Sequence, residues 1–220
     1  MFDRIRYKKS ALNQLKSNWK NSVLITAVCA TLILIINLPS KIGSLNGFAS
    51  LKEPSQIPQI ASLFVLFILI SAQLNTFLNL AKKSKKISFE LFFDGLTGWL
   101  KSLQSAFWIS LYVFLWSLLF FIPGVVKAFS YSQTLFLINE YPNLGIRKAM
   151  KISRVMTNGY KGDLFIMLLS YSGWIALSCI SFGIGFLWLI PYMEASFTNC
   201  YLELKDIALK SGKILSADLV

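Results

Sequence analysis

Six stretches of this chain, 22–38, 59–80, 103–122, 125–141, 164–182 and 184–201, are almost free of charge, and the acidic and basic residues cluster between them. Each is about 17 to 22 residues long, the length a helix needs to cross the hydrocarbon of a bilayer. Composition agrees: 55% of residues are hydrophobic and 15% charged, against roughly 45–50% and about 25% in soluble proteins. Lipid is therefore the expected solvent. The expected fold is all-α, one membrane domain over 1–220: a polytopic helix bundle with six transmembrane helices in three hairpins, plus one or two interfacial amphipathic helices.

The run from Leu103 to Tyr141 decides the helix count. As one helix its 39 residues would be about 58 Å long, nearly twice the hydrocarbon thickness, so the chain must fold back. Pro123 has no backbone donor and Gly124 tolerates positive φ, which makes this pair the expected turn. Lys127 would then reach toward headgroups from just inside the fourth helix. That helix is short and polar, carrying Ser130, Ser132, Gln133 and Thr134. The sequence SFGIG supplies the turn between the last two spans.

Two further segments have interfacial character. In KKSKKISFELFFDGLTGWLK, apolar and aromatic residues sit between a lysine block and Trp99, which fits a helix lying in the interface or an extension of the third span. Over 144–158, helical spacing puts Arg147, Lys148, Lys151 and Arg154 on one side and Ile146, Ala149, Met150, Ser153 and Met156 on the other. Gly159 is the expected C-cap. This cationic amphipathic helix is expected to contact the anionic lipids of the inner leaflet.

The net charge of +12 flanks apolar runs rather than forming a nucleic-acid surface, so no nucleic-acid partner is expected. Under six spans, nineteen of the 22 Lys and Arg residues fall on one side, leaving Lys41, Lys52 and Lys127 on the other. Both termini are then cytoplasmic. The start of the chain reads as an uncleaved first membrane helix behind a basic region. Cys29, Cys179 and Cys200 are odd in number and lie in or beside apolar runs, where small hydrophobes are expected rather than disulfides.

Histidine is absent, which removes the commonest catalytic base and metal ligand. No catalytic constellation, cofactor site or metal site is expected. Ser170 and Ser172 could act as nucleophiles only with a lysine or carboxylate base. Together with Gly173, Ala176 and Cys179, Ser170 forms a small-residue stripe suited to close helix contact. The candidate intramembrane polar site is Glu194 with Pro191 and Tyr192. An ionisable group well inside a span suggests function, while the structural alternative has Glu194 bonding the carbonyl that Pro191 leaves free.

IPGVVKAFSYSQTLFLINEYP, then Ser153, Arg154, Met156, Gly159, Lys161, Leu164 and Phe165, and then LSYSGW, FGIG and LWLIPY, together with ALNQLKSNW near the start, resemble a bacterial integral-membrane family known only as domain of unknown function 975. The resemblance implies a six-span protein of the bacterial plasma membrane with no established activity or cofactor. It also marks two departures, since the family has a neutral polar residue at the position of Glu194 and an aromatic at that of Cys200. The functional expectation is a non-enzymatic protein that scaffolds, protects or assists other envelope components, with another membrane protein as partner. The alternatives are transport of a small solute or ion through the bundle, and a lipid-modifying enzyme.

Overall fold

The computed structural model describes residues 2–45, 57–83 and 87–219. Lys52, Lys85 and Lys86 lie outside the described residues, as do the side chains of Lys41 and Lys83. The described residues are helical throughout, and three stretches are long and apolar enough to cross a membrane: Trp19–Ile36, Phe64–Lys82 and Lys161–Ile180.

A separate helix opens the chain. Helix α1 (Arg4–Lys16) starts at Asp3, whose carboxylate accepts from the backbone N–H groups of Ile5 and Arg6. Its buried face is Tyr7, Ala11 and Leu15, one residue per turn. It packs along the last long helix, α11 (Phe186–Lys210), where Gln14 and Asn199 exchange hydrogen bonds. Helices α2 (Trp19–Leu45) and α3 (Ile57–Lys83) carry the first two expected spans. Between α3 and the next long helix, Phe89–Leu96 forms a helix of its own, α4, capped by Ser88. It lies tightly on α3, since a methyl group at Gly95 would come within 2.7 Å of Ala72 Cα. The segment is thus not an extension of the third span.

Helices α5 (Trp99–Leu119) and α6 (Phe121–Tyr131) form the expected hairpin, but the reversal is at Phe120, which is extended at φ −158° and ψ 145°. Pro123 and Gly124 are not the turn. They occupy the first turn of α6, where proline is tolerated because the missing N–H would have had no intrahelical partner. Gly124 instead provides close approach: a methyl group there would sit 2.9 Å from Ser117 Cβ and 3.0 Å from Ser117 Cα. Lys127 stacks over Trp116 at 4.3 Å and Tyr112 meets Tyr131, which fixes the antiparallel register.

The fourth expected span, 125–141, is two helices. After α6 the chain breaks at Ser132 and Gln133 and resumes as α7 (Thr134–Glu140). The fifth is likewise interrupted at Ser170 and Tyr171, between α9 (Lys161–Leu169) and α10 (Ser172–Ile180). At both breaks a serine hydroxyl donates to the carbonyl three residues back, Ser132 to Phe129 at 2.9 Å and Ser170 to Met167 at 2.5 Å. Such back-bonding competes with the helical ladder.

The amphipathic segment forms α8 (Ile146–Met156) with its expected faces: Arg147, Lys148, Lys151 and Arg154 are exposed, and Ala149, Met150, Ser153 and Met156 are buried. Thr157 is the cap residue, and Gly159 takes the left-handed turn two residues later, at φ +91°. The turn at 181–185 is as expected, with Phe182 and Gly183 both at positive φ. Apart from Ser170, which meets Lys8 of α1, the small-residue stripe faces away from the described helices. Ser170, Gly173, Ala176 and Cys179 are exposed, and Tyr171 and Ser178 face inward. Cys29 and Cys200 are buried as expected.

Two apolar clusters hold these helices together. One joins α7, α8, α9 and α11 through residues such as Leu137, Met156, Leu164 and Leu204, and the other joins α1 to α4 through Leu15, Ile25, Leu69 and Phe92.

Candidate functional site

The break between α6 and α7 leaves backbone groups that the helical ladder would have paired. Helix α8 takes them up. Ser153, fully buried, accepts from Gln133 N at 3.2 Å and donates to Ser130 O at 2.9 Å, and Thr157 also reaches Ser130 O. The inward hydroxyls of the amphipathic helix thus stabilise an interrupted helix.

Facing this break is Glu194. A cavity of about 310 Å³ is lined by Ser132, Gln133 and Phe136 on one side, by Ile190, Met193, Glu194 and Phe197 of α11 on another, and by Leu74 of α3. Glu194 Oε2 is buried with no hydrogen-bond partner among the described residues, as are Gln133 Oε1 and Thr134 Oγ1. The Gln133 amide nitrogen is engaged, donating to Ser132 Oγ at 2.9 Å. Two unpartnered acceptors, one of them a carboxylate, therefore belong to residues of one small, otherwise apolar cavity.

The other two residues of the expected polar site lie elsewhere. Pro191 is buried one turn before Glu194, and Tyr192 points to a different cavity, packing edge-on against Tyr171 at 5.6 Å. Gln133 is the residue that belongs with Glu194. Sequence shows its polarity but not the chain break that brings it to α11.

A second polar cluster lies around Glu140, whose side chain is only 3% exposed. It pairs with Lys82 of α3 at 2.5 Å and with Lys205 of α11, and it accepts from Tyr201. The two lysines come from different helices, α3 and α11, a juxtaposition that sequence does not show. Glu203 pairs with Arg6 at 3.8 Å.

Ser170 meets Lys8, with Nζ 2.6 Å from Oγ. Burial, with the charge of Arg4 nearby, holds the Lys8 ammonium below its usual pKa. A serine beside a lysine is one form of nucleophile and base. Here, however, the serine proton goes to Met167 O and the lysine donates, while its ammonium rests over the Tyr171 ring at 4.0 Å. The contact fastens α1 to the α9–α10 break. Among the described residues no group of three or more His, Cys, Asp and Glu side chains is arranged to hold a metal ion.

Residues 118–208 match the family model described as Protein of unknown function (DUF975). Over that segment the chain is similar to this family. The DUF975 segment begins at the end of α5 and closes near the end of α11, so it contains the hairpin tip, the helix break, α8 and Glu194. ALNQLKSNW, in α1 and the start of α2, lies outside the matched residues. No curated protein and no solved structure matches the chain.

Proposed function

We propose that this chain is a multi-pass protein of the bacterial plasma membrane, with both termini cytoplasmic, that binds and passes a small cationic solute at Glu194. The observation that carries this reading is the pair of buried, unpartnered acceptors on Glu194 and Gln133, which line one cavity. Acceptors without donors call for a ligand rich in donors, and a carboxylate calls for a positive one. Interrupted helices beside the site support transport, because solute sites in membrane transporters are typically built where helices break.

The test uses methylammonium as probe in proteoliposomes of the full chain. Uptake above that of protein-free liposomes, lost in Glu194→Gln while that variant folds, is the expected result. Uptake at the protein-free level, or unchanged in Glu194→Gln, would overturn the reading.

The exposed face of Ser170, Gly173, Ala176 and Cys179 favours a second reading, an accessory protein that docks a helix of another membrane protein. Cys179 is exposed and can report it. Oxidative cross-linking of Cys179 to a neighbour in native membranes is expected under this reading, and its absence across oxidants counts against it.

A further inference from the structure

We propose that the open cleft between α6, α8, α9 and the C-terminal tail is a binding site for a phosphomonoester group, carried by the headgroup of an anionic lipid. The cleft, about 560 Å³, is lined by Lys127, Arg154, Val155, Asn158, Lys161 and Lys213. Four of these six residues are cationic and none is acidic. None of the four cations has an ion-pair partner among the described residues, whose pairs involve Arg6, Lys82, Lys205 and Lys210. Lys127 shares this space with Arg154 and Lys161. Gathering four like charges without a counter-charge is unfavourable unless an anion shares the space.

The fold sets the position of each cation along the chain. Lys127 rests over the Trp116 ring at 4.3 Å. Arg154 lies on the polar face of α8, and Lys161 begins α9. Lys213 is placed by the end of α11, where Gly212 is left-handed at φ +68° and the N–H groups of Gly212 and Lys213 return to Leu209 O and Ala208 O at 3.1 and 3.0 Å. This pair of bonds is a Schellman closure. Buried Ile214 then anchors the tail just after Lys213.

The ligand chemistry follows from this set. An arginine fork and three ammonium groups match the several acceptor oxygens and double charge of a phosphomonoester. Lipid is favoured as the source because the apolar surface continues beside the cavity. Val126 and Trp116 are exposed next to Lys127, and Phe165 is exposed one turn beyond Lys161. Acyl chains can lie along that surface while the headgroup sits among the cations. The site shares the membrane placement proposed above but not Glu194, so Glu194→Gln is expected to leave it intact.

Full-length protein in a neutral detergent is titrated with dihexanoyl phosphatidic acid, dihexanoyl phosphatidylcholine and inorganic phosphate, with bound species read by native mass spectrometry. Phosphatidic acid is expected to bind at least about tenfold more tightly than either of the others. Lys127→Gln combined with Lys213→Gln is expected to weaken it by about tenfold or more, and Lys213→Arg to retain it. Because Lys213 is an exposed tail residue, Lys213→Gln alone serves if the double variant fails to fold, with a weakening of about threefold expected. Equal binding of phosphatidic acid and phosphatidylcholine, or no change in the variants, would overturn the proposal. Inorganic phosphate binding as tightly as phosphatidic acid would overturn the lipid source and assign the site to free phosphate.

Discussion

Ser153 shows how one hydroxyl can decide whether a broken helix is tolerated. It serves Gln133 N and Ser130 O at once, from a position with no exposure. Ser153→Ala removes both bonds, and Thr157 can replace only the one to Ser130 O. A buried group left unpaired costs on the order of 1–3 kcal/mol. Thermal unfolding in detergent should therefore show a clearly lower midpoint for Ser153→Ala, and an unchanged midpoint would show that the break needs no support from α8. Glu140 is a second such residue. Glu140→Ala would leave Lys205, whose side chain is 13% exposed, without its carboxylate. Removing one partner of a buried pair typically costs about 3–5 kcal/mol. The same assay should place this variant below Ser153→Ala, and a midpoint equal to the parent's would show that the lysines find solvent easily.

At the scale of elements, the two hairpins share one device. Ser117 and Gly124 meet at the tip of α5 and α6, and Ser178 and Gly185 meet between α10 and α11. In each pair the serine hydroxyl is turned back onto its own helix, to Val113 O and Trp174 O, both at 2.8 Å. Both pairs are seven residues apart in sequence. Gly124→Ala and Gly185→Ala should each push the paired helices apart, at about 1–3 kcal/mol, read as a lower unfolding midpoint; a neutral effect would show that the helices yield freely. The pairs were not legible as contacts, because a Ser and a Gly in an apolar chain carry no signal until the reversal point is known. The reversal itself was legible as a necessity of length but misplaced by three residues, since proline is as acceptable in the first turn of a helix as in a turn. The two faces of helix α8 were legible, because they differ in both charge and size, but its cap is Thr157 and not Gly159. The breaks at Ser132 and Ser170 were not, because serine pairs with its own helix at many positions without interrupting it. Helix α1 did carry signals, Asp3 as cap and Tyr7, Ala11 and Leu15 at one per turn, that were overshadowed by its basic residues.

For the whole molecule, the basic residues sort by contact. Lys82 and Lys205 meet at Glu140, Arg6 meets Glu203, and Lys101 donates to Pro142 O, so residues that the charge count places on one side of the membrane do gather in the fold. Lys127 is the exception. The charge count sets it opposite Arg154, Lys161 and Lys213, yet it lines one cavity with all three. In the fold, then, Lys127 lies with the larger group. The consequence for the α5–α6 hairpin is that it need not cross the bilayer in full: its tip can enter the apolar layer while the base of α6 stays with the basic surface. Exposed Phe114, Leu118, Phe120 and Ile122 around that tip fit such an apolar setting. Single cysteines at Lys127 and at Asn158, in a background without the three native cysteines, should therefore react from the same side of the membrane with an impermeant maleimide. Reaction of position 127 only in intact cells and of position 158 only in opened vesicles would restore the full crossing and break the cavity that joins them.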